Sequence, residues 1–360
     1  MPSVARKAIE AFAERHGPHK IFSAPTALHA KAWSKGKPDP QYAVPTTMTG
    51  PTEAPGYTKA LVIAHGLMGT TNNFYTPGTQ LSRDLDGTID GVVAVDMRNH
   101  GRSPHKDVHS SVALATDLLL HIGRMADAAP VTEDPPRYVL MGHSMGGTAV
   151  CKAAMVASDP HAREKVLAEC APEDVKERKM LEHAAVNFDE LIAGVIVVDV
   201  CPSQRMPGAF NRISNDLQAL MDVELTVDSS PKSVGERLRS KITDDMMRNF
   251  LLTNLISGRP KDGEPASWRC NLPVLRHSLD HLAFPITEEV EAEHKVKAPT
   301  LFVFGDRSPY NHAEGRRAID KFFANAEQVE IEKSGHYPHF EQKDAFCDVV
   351  APFIRRCLDG

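Results

Sequence analysis

Residues 138–150 read YVLMGHSMGGTAV, a stretch that predicts a buried strand turning sharply into a helix. Its first half is an apolar run typical of a strand, and its second half is an Ala- and Val-rich pattern typical of a helix. Ser144 lies at the junction in a Gly-x-Ser-x-Gly pattern, with Gly142 before it and Gly146 after it. Because so tight a turn needs small neighbours and projects the hydroxyl into a cleft, the pattern predicts Ser144 as a nucleophile.

Apolar strand-like runs alternate with longer helical patterns on both sides of this stretch. The runs are rich in Val, Ile and Leu, as expected of strands buried on both faces of a parallel sheet. The predicted strands are residues 60–66, 91–98, 137–144, 193–200, 299–306 and 328–335, and the predicted helices are 110–128, 145–158, 312–323 and 341–358. This order predicts an α/β fold with a mostly parallel, doubly wound sheet.

Two segments interrupt the alternation. Residues 159–190 are charged and helix-prone, which predicts a surface insertion, and residues 202–285 hold several helical patterns without a convincing strand, which predicts a helical cap. The core would then comprise residues 59–201 and 286–360. It is preceded by an N-terminal extension, residues 1–58, most of which is rich in Pro, Thr, Lys and Gly and predicts an extended or irregular lead-in.

The composition argues against several classes of partner. The net charge of −6 leaves no basic surface for nucleic acid or anionic lipid. No run approaches the ~18 apolar residues of a membrane-spanning helix. Six cysteines occur without a Cys-x-x-Cys pair, which argues against a disulfide framework or a zinc ribbon and favours a reducing, intracellular compartment.

The first 17 residues, MPSVARKAIEAFAERHG, do not decide between the mitochondrion and the cytoplasm. They lack the apolar centre of a secretory signal, and they have the outline of a short amphipathic mitochondrial presequence. Glu10 and Glu14 favour a surface helix or a frayed arm instead. Mitochondrion and cytoplasm are therefore both retained.

A serine nucleophile needs a general base, and chain order narrows the choice among seventeen histidines. In this architecture the base follows the last strand and comes after the acid. His336, in EKSGHYPHF, occupies that loop. His339 lies where the next helix should begin, and His143 belongs to the strand before the serine. His336 is the predicted base.

The attacked carbonyl also needs two backbone N–H donors for the oxyanion that forms on it. The first core strand ends in IAHGLMG, whose His65-Gly66 turn offers the Leu67 N–H. The Met145 N–H, at the start of the helix after Ser144, is the second candidate. The alternative is that Gly66 is an ordinary glycine at the junction between strand and loop, without a role in binding an oxyanion.

Two aspartates compete as the acid that orients the base. The usual position after the strand TLFVFG holds Ser308, and Asp306 comes earlier, where a salt bridge or turn cap would explain it. Asp199 ends a buried strand, where an unpaired carboxylate would be costly and a histidine partner would compensate. Asp199 is the predicted acid and Asp306 the reserve, with turn capping as the alternative role of Asp199.

Two histidine pairs have the four-residue spacing of a zinc site on a helix, namely His105 with His109 and His277 with His281. Neither pair has a glutamate after its first histidine. Solvated or core histidines explain both pairs, so no metal and no cofactor is predicted.

Seven motifs together resemble one family: HGLMGTTNNF, VDMRNHGRSPH, GHSMGG, VVDVCP, FLLTNL, WRCNLPVL and SGHYPHF. From about residue 58 onward the chain is similar to the YbfF-like esterases and the abhydrolase domain-containing protein 11 family, which includes yeast ethanol acetyltransferase-type enzymes. The resemblance implies an α/β-hydrolase with a helical cap that acts on short-chain acyl esters or thioesters without a cofactor. It places the nucleophile at Ser144, the base at His336 and the acid at Asp199.

The chain departs from that family in its N-terminal lead-in and in the connection before the Asp199 strand, which is about thirty residues longer than usual. Neither departure removes a candidate residue. Within RNHG, residues 98–101, Arg98 and Asn99 are predicted to brace the loop beside the oxyanion turn.

Three functions remain open from these residues. A serine hydrolase of esters or thioesters is favoured, and an alcohol acyltransferase would use the same residues with an alcohol as acceptor. A non-catalytic binding or assembly protein would use the 159–190 insertion as its working surface. The predicted partner is a small acyl substrate, and the oligomeric state is open. Certain apolar cap residues would line an acyl pocket or form the cap's own core: Phe250, Leu251, Leu252 and Trp268.

Overall fold

The computed structural model describes residues 21–40, 53–202, 209–279, 282 and 293–359. The strands within these residues are β1 His29–Ser34, β2 Lys37–Pro38, β3 Lys59–Ala64, β4 Gly91–Asp96, β5 Arg137–His143, β6 Ile192–Val198, β7 Leu255–Ile256, β8 Ser267–Trp268, β9 Thr300–Gly305 and β10 Ala326–Ile331. The helices are α1 Tyr75–Asp84, α2 Ser111–Ala128, α3 Met145–Ser158, α4 Pro160–Cys170, α5 Val175–Val186, α6 Phe188–Leu191, α7 Ala209–Met221, α8 Pro231–Leu238, α9 Asp245–Leu252, α10 Leu272–His277, α11 Ala313–Phe322, α12 Pro338–Glu341 and α13 Lys343–Asp359.

Eight strands form one sheet in the order β10-β9-β6-β5-β3-β4-β1-β2. Neighbours from β10 to β4 run parallel, whereas β1 runs antiparallel to both β4 and β2. The six predicted strands and four predicted helices are all present, and the α/β class with a mostly parallel sheet is confirmed.

The sheet is buried on both faces. Alternate residues of β3 illustrate this: Val62 packs into the apolar cluster formed with α2 and α3, and Leu61 into the cluster formed with α1 and α13. Because successive strand residues point to opposite faces, a strand covered on both sides must be apolar at nearly every position. This requirement explains the unbroken apolar runs in the sequence.

The register of the sheet brings three strand ends to one edge. His143 pairs with Val198, and Val198 pairs with Val303. The residues that follow β5 and β6 are Ser144 and Asp199, so both leave the sheet at the same level. Their N–H groups still donate along the sheet, from Ser144 to the carbonyl of Val198 and from Asp199 to that of Val303.

The N-terminal lead-in, expected to be extended or irregular, contributes a strand to the sheet that the sequence did not predict. Its residues 29–34 form β1, which pairs with β4 from His29↔Asp96 to Trp33↔Val92. Trp33 is only 1% exposed within the cluster on the α1 face. The strand was missed because HAKAWS lacks the β-branched run used to find the other strands. The residues 1–17 that resemble a presequence lie outside the described residues.

The 159–190 segment forms α4, α5 and α6 and is packed more closely than a surface excursion. Leu181, Ala184 and Ala185 on α5 are buried in the core cluster. At Gly123 of α2, a Cβ would lie 2.2 Å from the carbonyl oxygen of Met180. The insertion therefore has an inner face docked on α2 as well as its charged outer face.

The cap has an apolar cluster of its own. Helices α7 to α10 and the short β7–β8 hairpin enclose residues such as Leu220, Leu238 and Leu275. Met68, from the loop after β3, belongs to the same cluster, so the cap rests directly on that loop. Among the described residues, no helix combines the length and apolarity required to cross a membrane.

Candidate active site

Ser144 lies at the junction of β5 and α3 with φ 52° and ψ −116°. A positive φ is strained for a residue with a Cβ, so the surrounding turn must hold it. The turn is tight: a Cβ at Gly142 would lie 2.2 Å from the carbonyl oxygen of Gly146, and one at Gly146 would lie 2.3 Å from that of Ala64. The glycines of GHSMGG are therefore required by backbone-to-backbone contact.

Three side chains that are far apart in sequence meet beside this turn. Ser144 Oγ lies 3.1 Å from Nε2 of His336, and Nδ1 of His336 lies 2.7 Å from Oδ2 of Asp199. Because a carboxylate only accepts, the proton of the neutral imidazole belongs on Nδ1, which leaves Nε2 free to accept from the serine hydroxyl. The arrangement can remove a proton from the serine.

Asp199 is fully buried and makes further hydrogen bonds. The N–H of Gly305 donates to Oδ1 over 3.0 Å, and the hydroxyl of Ser308 donates to Oδ2. These donors offset the cost of removing the carboxylate from water. The sequence alone identifies Ser308 only as the residue at the usual position of the acid.

Asp306, the reserve acid, is placed elsewhere. It is exposed, and its Oδ1 accepts from the N–H of Ser334 over 2.9 Å. A backbone N–H bond from Lys333 is the main cause that lowers the pKa of Asp306. The aspartate caps the turn before the histidine loop, and the structure brings Asp199 rather than Asp306 to His336.

The two predicted oxyanion donors lie near the serine. A Cβ at Gly66 would be 3.3 Å from the Cβ of Ser144, so the turn after β3 packs against it. Neither the Leu67 N–H nor the Met145 N–H donates a hydrogen bond within the described residues. Two free N–H groups close to the Ser144 hydroxyl are what an oxyanion site requires.

The RNHG loop lies between α2, the cap and the predicted oxyanion turn. Arg98 forms a buried ion pair with Asp117 on α2, at 2.6 Å. Asn99 binds the cap, since its carbonyl accepts from the N–H of Asn271 over 3.0 Å. The residue that reaches the turn is His100, whose Nε2 accepts from the N–H of Met68 over 3.1 Å.

Two aromatic neighbours hold the His336 loop. Nε2 of His143 lies 2.8 Å from the carbonyl oxygen of His336, and burial lowers the pKa of His143 well below its usual value. The neutral ring therefore donates from Nε2. The ring of Tyr310 stacks on His336 with centroids 4.4 Å apart. Sequence reasoning missed both supporting roles, although His143 adjoins the serine.

His339, the other histidine of SGHYPHF, is buried in α12. Its ring stacks on Phe74 with centroids 4.6 Å apart, and desolvation lowers its pKa to about 3. The ring also lies 4.6 Å from that of His143. His339 is therefore a neutral packing residue behind the histidine loop, and His336 is the histidine that reaches the serine.

The predicted pocket residues divide into two groups. Phe250 packs against the cap's cluster and also contacts the histidine loop, with its ring centroid 6.1 Å from that of Tyr337. Leu251 and Leu252 are buried in the cap's own cluster, and Nε1 of Trp268 donates to the carbonyl of Leu220 over 3.2 Å. All four therefore contribute to the cap's own core, and Phe250 is the one of the four whose ring also contacts the histidine loop among the described residues.

The histidine pairs considered as zinc ligands have other contacts. His109 is buried with Nε2 3.3 Å from the Sδ of Met145, and Nε2 of His105 lies 3.1 Å from the carbonyl of Arg269. His281 lies outside the described residues. Across the part of the chain that the structure describes, no three His, Cys, Asp or Glu residues cluster as metal ligands.

A family model described as the alpha/beta hydrolase family matches residues 61–349. The chain belongs to the α/β hydrolase family. This membership agrees with the sheet order, the serine turn and the cap described above.

Relatives within this α/β hydrolase family carry esterase and lipase names. The sn-1-specific diacylglycerol lipase ABHD11 of Mus musculus is 31% identical over 300 residues, which cover 82% of this chain and 80% of the relative. Esterase YbfF of Escherichia coli (strain K12) is 28% identical, covering 83% of this chain and 92% of the relative. The resemblance drawn from the motifs is confirmed, and these relatives support a carboxylic ester hydrolase.

A solved structure shares the fold of this α/β hydrolase. A marine microorganism esterase superposes with a TM-score of 0.65 at 22% identity, covering 91% of this chain and 99% of the other. At this level of identity the likeness concerns the fold.

Proposed function

We propose that this α/β hydrolase cleaves short-chain carboxylic esters or thioesters through an acyl-serine intermediate. Ser144 is the nucleophile, His336 the general base and Asp199 the acid that orients the imidazole. The observation that carries the proposal is the continuous chain of contacts from Ser144 Oγ through His336 to Asp199, at 3.1 Å and 2.7 Å.

Acylation begins when His336 Nε2 takes the hydroxyl proton as Oγ of Ser144 attacks the substrate carbonyl. The imidazolium that results is stabilised by Asp199, whose buried carboxylate also accepts hydrogen bonds from Gly305 and Ser308. The imidazolium then returns its proton to the departing alcohol or thiol, and the acyl group stays on the serine.

The oxyanion of each tetrahedral intermediate is held by the N–H groups of Leu67 and Met145. Such a donor contributes about 3–4 kcal/mol to transition-state stabilisation at comparable sites. Met145 is the first residue of α3, so the positive end of the helix dipole adds to the same field.

Deacylation repeats the steps with water as nucleophile and His336 as base. An alcohol that reached the acyl-serine in place of water would give a new ester, which is the acyltransferase alternative. Phe250 of the cap and Tyr337 of the histidine loop, whose ring centroids lie 6.1 Å apart, are candidates for the wall that the acyl chain contacts.

The decisive experiment is labelling with a fluorophosphonate, which reacts only with an activated serine. We expect labelling of the native protein and of Asp306→Asn, and none of Ser144→Ala. A native protein that stays unlabelled would favour the binding or assembly role. A series of p-nitrophenyl esters and acyl-CoA thioesters of increasing chain length, run with and without ethanol, then distinguishes acyl length and acceptor.

A further inference from the structure

The turn that offers the Leu67 N–H contains a strained residue. The N–H of Gly69 donates to the carbonyl of Gly66 over 2.9 Å, so residues 66–69 form a β-turn. Met68, its third residue, has φ 61°, in the left-handed region where such turns normally place glycine. A side chain there costs about 1–2 kcal/mol, so other contacts must hold the turn in this form.

Two histidines hold the turn from the core side. Nδ1 of His65 lies 2.7 Å from the carbonyl oxygen of Gly66, and Nε2 of His65 accepts from the N–H of Met97. His100 accepts the Met68 N–H on Nε2, while its Nδ1 lies 2.9 Å from the carbonyl of Arg98. Burial lowers the pKa of both rings, so each is neutral with one donor and one acceptor in use.

One residue of the cap holds the turn from the opposite side. Nδ2 of Asn254, in the FLLTNL motif, donates to the carbonyl of Met68 over 2.7 Å. Asn254 is fully buried, and its Oδ1 accepts from the thiol of Cys270 over 3.1 Å. Burial raises the pKa of Cys270 to about 12, so the thiol remains a donor and the amide keeps Nδ2 turned toward Met68.

We propose that Asn254 is a positioning residue, through which the cap holds the oxyanion turn in the form that aims the Leu67 N–H at the substrate. The inference rests on the proposed function, because it assigns Asn254 a role only if Leu67 is an oxyanion donor. No sequence pattern pointed to Asn254 beyond the motif that contains it.

The peptide planes of the turn explain why this contact matters. The Gly66 carbonyl and the Leu67 N–H belong to one peptide unit and point in opposite directions, so bonds to the carbonyl aim the N–H. The Asn254 bond to the Met68 carbonyl fixes the peptide unit after Met68, and the His100 bond to the Met68 N–H fixes the unit before it, so the two bonds together hold Met68 at its strained φ. Without the Asn254 bond, the peptide unit between Met68 and Gly69 is free to rotate and Met68 relaxes from its strained conformation, which loosens the 66–69 turn and displaces Leu67 and its N–H. A displacement of about 1 Å costs on the order of a hundredfold in rate.

Asn271 provides a matched control, since it is a second cap asparagine bound to the core. Its Nδ2 lies 3.2 Å from Oδ1 of Asn99, and it has no contact with the oxyanion turn among the described residues. Asn271→Ala removes one cap-to-core hydrogen bond, worth about 1 kcal/mol of stability, and leaves the turn intact.

The test measures kcat, KM and the affinity for a trifluoromethyl ketone, whose adduct with the serine places an oxyanion in the site. We expect Asn254→Ala to lower kcat by about 10- to 100-fold while KM changes by no more than about threefold. The affinity for the ketone should fall by a factor similar to that of kcat. Asn271→Ala should change neither value by more than about twofold.

Asn254→Asp supplies an independent readout should the alanine variant fail to fold. The protonated carboxyl donates to the Met68 carbonyl as the amide does, whereas the carboxylate repels it. We therefore expect the kcat of Asn254→Asp, divided by that of the native protein at the same pH, to be near one at the acidic end of the pH profile and to fall as the pH rises. Absence of that fall, or an Asn254→Ala that matches Asn271→Ala, overturns the inference while leaving the proposed function standing. A native protein without fluorophosphonate labelling overturns the proposed function itself.

Discussion

Ser308 donates its hydroxyl hydrogen to Oδ2 of Asp199, the same oxygen that accepts from His336 Nδ1. With the Gly305 N–H on Oδ1, the carboxylate has three donors and a single orientation. Ser308 stands after β9, where the acid is usual in this fold. In this chain, that loop supplies a donor to the carboxylate, and the carboxylate comes from the end of the neighbouring strand β6.

Removing that donor should slow the reaction moderately. In Ser308→Ala, Oδ2 of Asp199 keeps only the imidazole, and we expect kcat/KM for a p-nitrophenyl ester to fall about tenfold, the scale of one charge-assisted hydrogen bond. Ser334→Ala is the control, because Ser334 is also buried beside the histidine loop and its hydroxyl is directed to the carbonyl of Gly335. Equal losses in both variants would contradict the assignment.

Replacing the acid itself should be far more severe. Asp199→Asn keeps the shape of the side chain but favours the wrong imidazole tautomer, and we expect kcat to fall by roughly 10⁴-fold, as in a comparable serine enzyme. Asp306→Asn retains an oxygen to accept the Ser334 N–H, so its kcat should change by no more than about threefold. The reverse order of the two losses would transfer the role to Asp306.

The stability of the protein should fall in mild acid because of buried neutral histidines. His121 on α2 is buried, neither ring nitrogen has a hydrogen-bond partner among the described residues, and desolvation lowers its pKa from 6.5 to about 3. Below pH 6.5 the unfolded chain therefore gains a proton that the folded chain does not take up until about pH 3. Stability is lost as the pH falls through this window, by about 2 kcal/mol at pH 5 for one such group.

His121→Leu tests that contribution because leucine has a similar volume and no titrating group. Urea unfolding at pH 7 and pH 5 should show a smaller loss of unfolding free energy between the two conditions, by up to about 2 kcal/mol. An unchanged difference would show that His121 does not contribute to the acid sensitivity.

The docking of α5 on α2 depends on Gly123. Gly123→Ala places a methyl group against the carbonyl of Met180 and should lower the unfolding free energy by about 3 kcal/mol, because the helices must separate. Gly87→Ala is the control: its φ of 84° makes alanine strained, but a Cβ there meets nothing within 4 Å, so only about 1 kcal/mol is expected. Thermal unfolding of the two variants makes the comparison, and similar midpoints would argue for a loosely attached insertion.

Local sequence patterns were sufficient to predict those features of the structure that depend on residues close together in sequence. The strands of the parallel sheet were found because burial on both faces demands apolar runs. Ser144 was found because its turn demands glycines two residues away. The strand β1, near the antiparallel edge of the sheet, escaped because such a position accepts a mixed sequence such as HAKAWS.

The sequence by itself therefore determined the α/β class, the family and the candidate residues Ser144 and His336. The steric demands of the serine turn and the burial of the strands both constrain residues that are close together in sequence, and the order of the strands then points to His336. Only the tertiary structure decided which aspartate reaches His336, and that Ser308 and Asn254 hold the two halves of the site. Those contacts join residues that are more than a hundred positions apart. Their geometry depends on how the loops and the cap pack together. The hydrophobic periodicity of the sequence therefore cannot predict it.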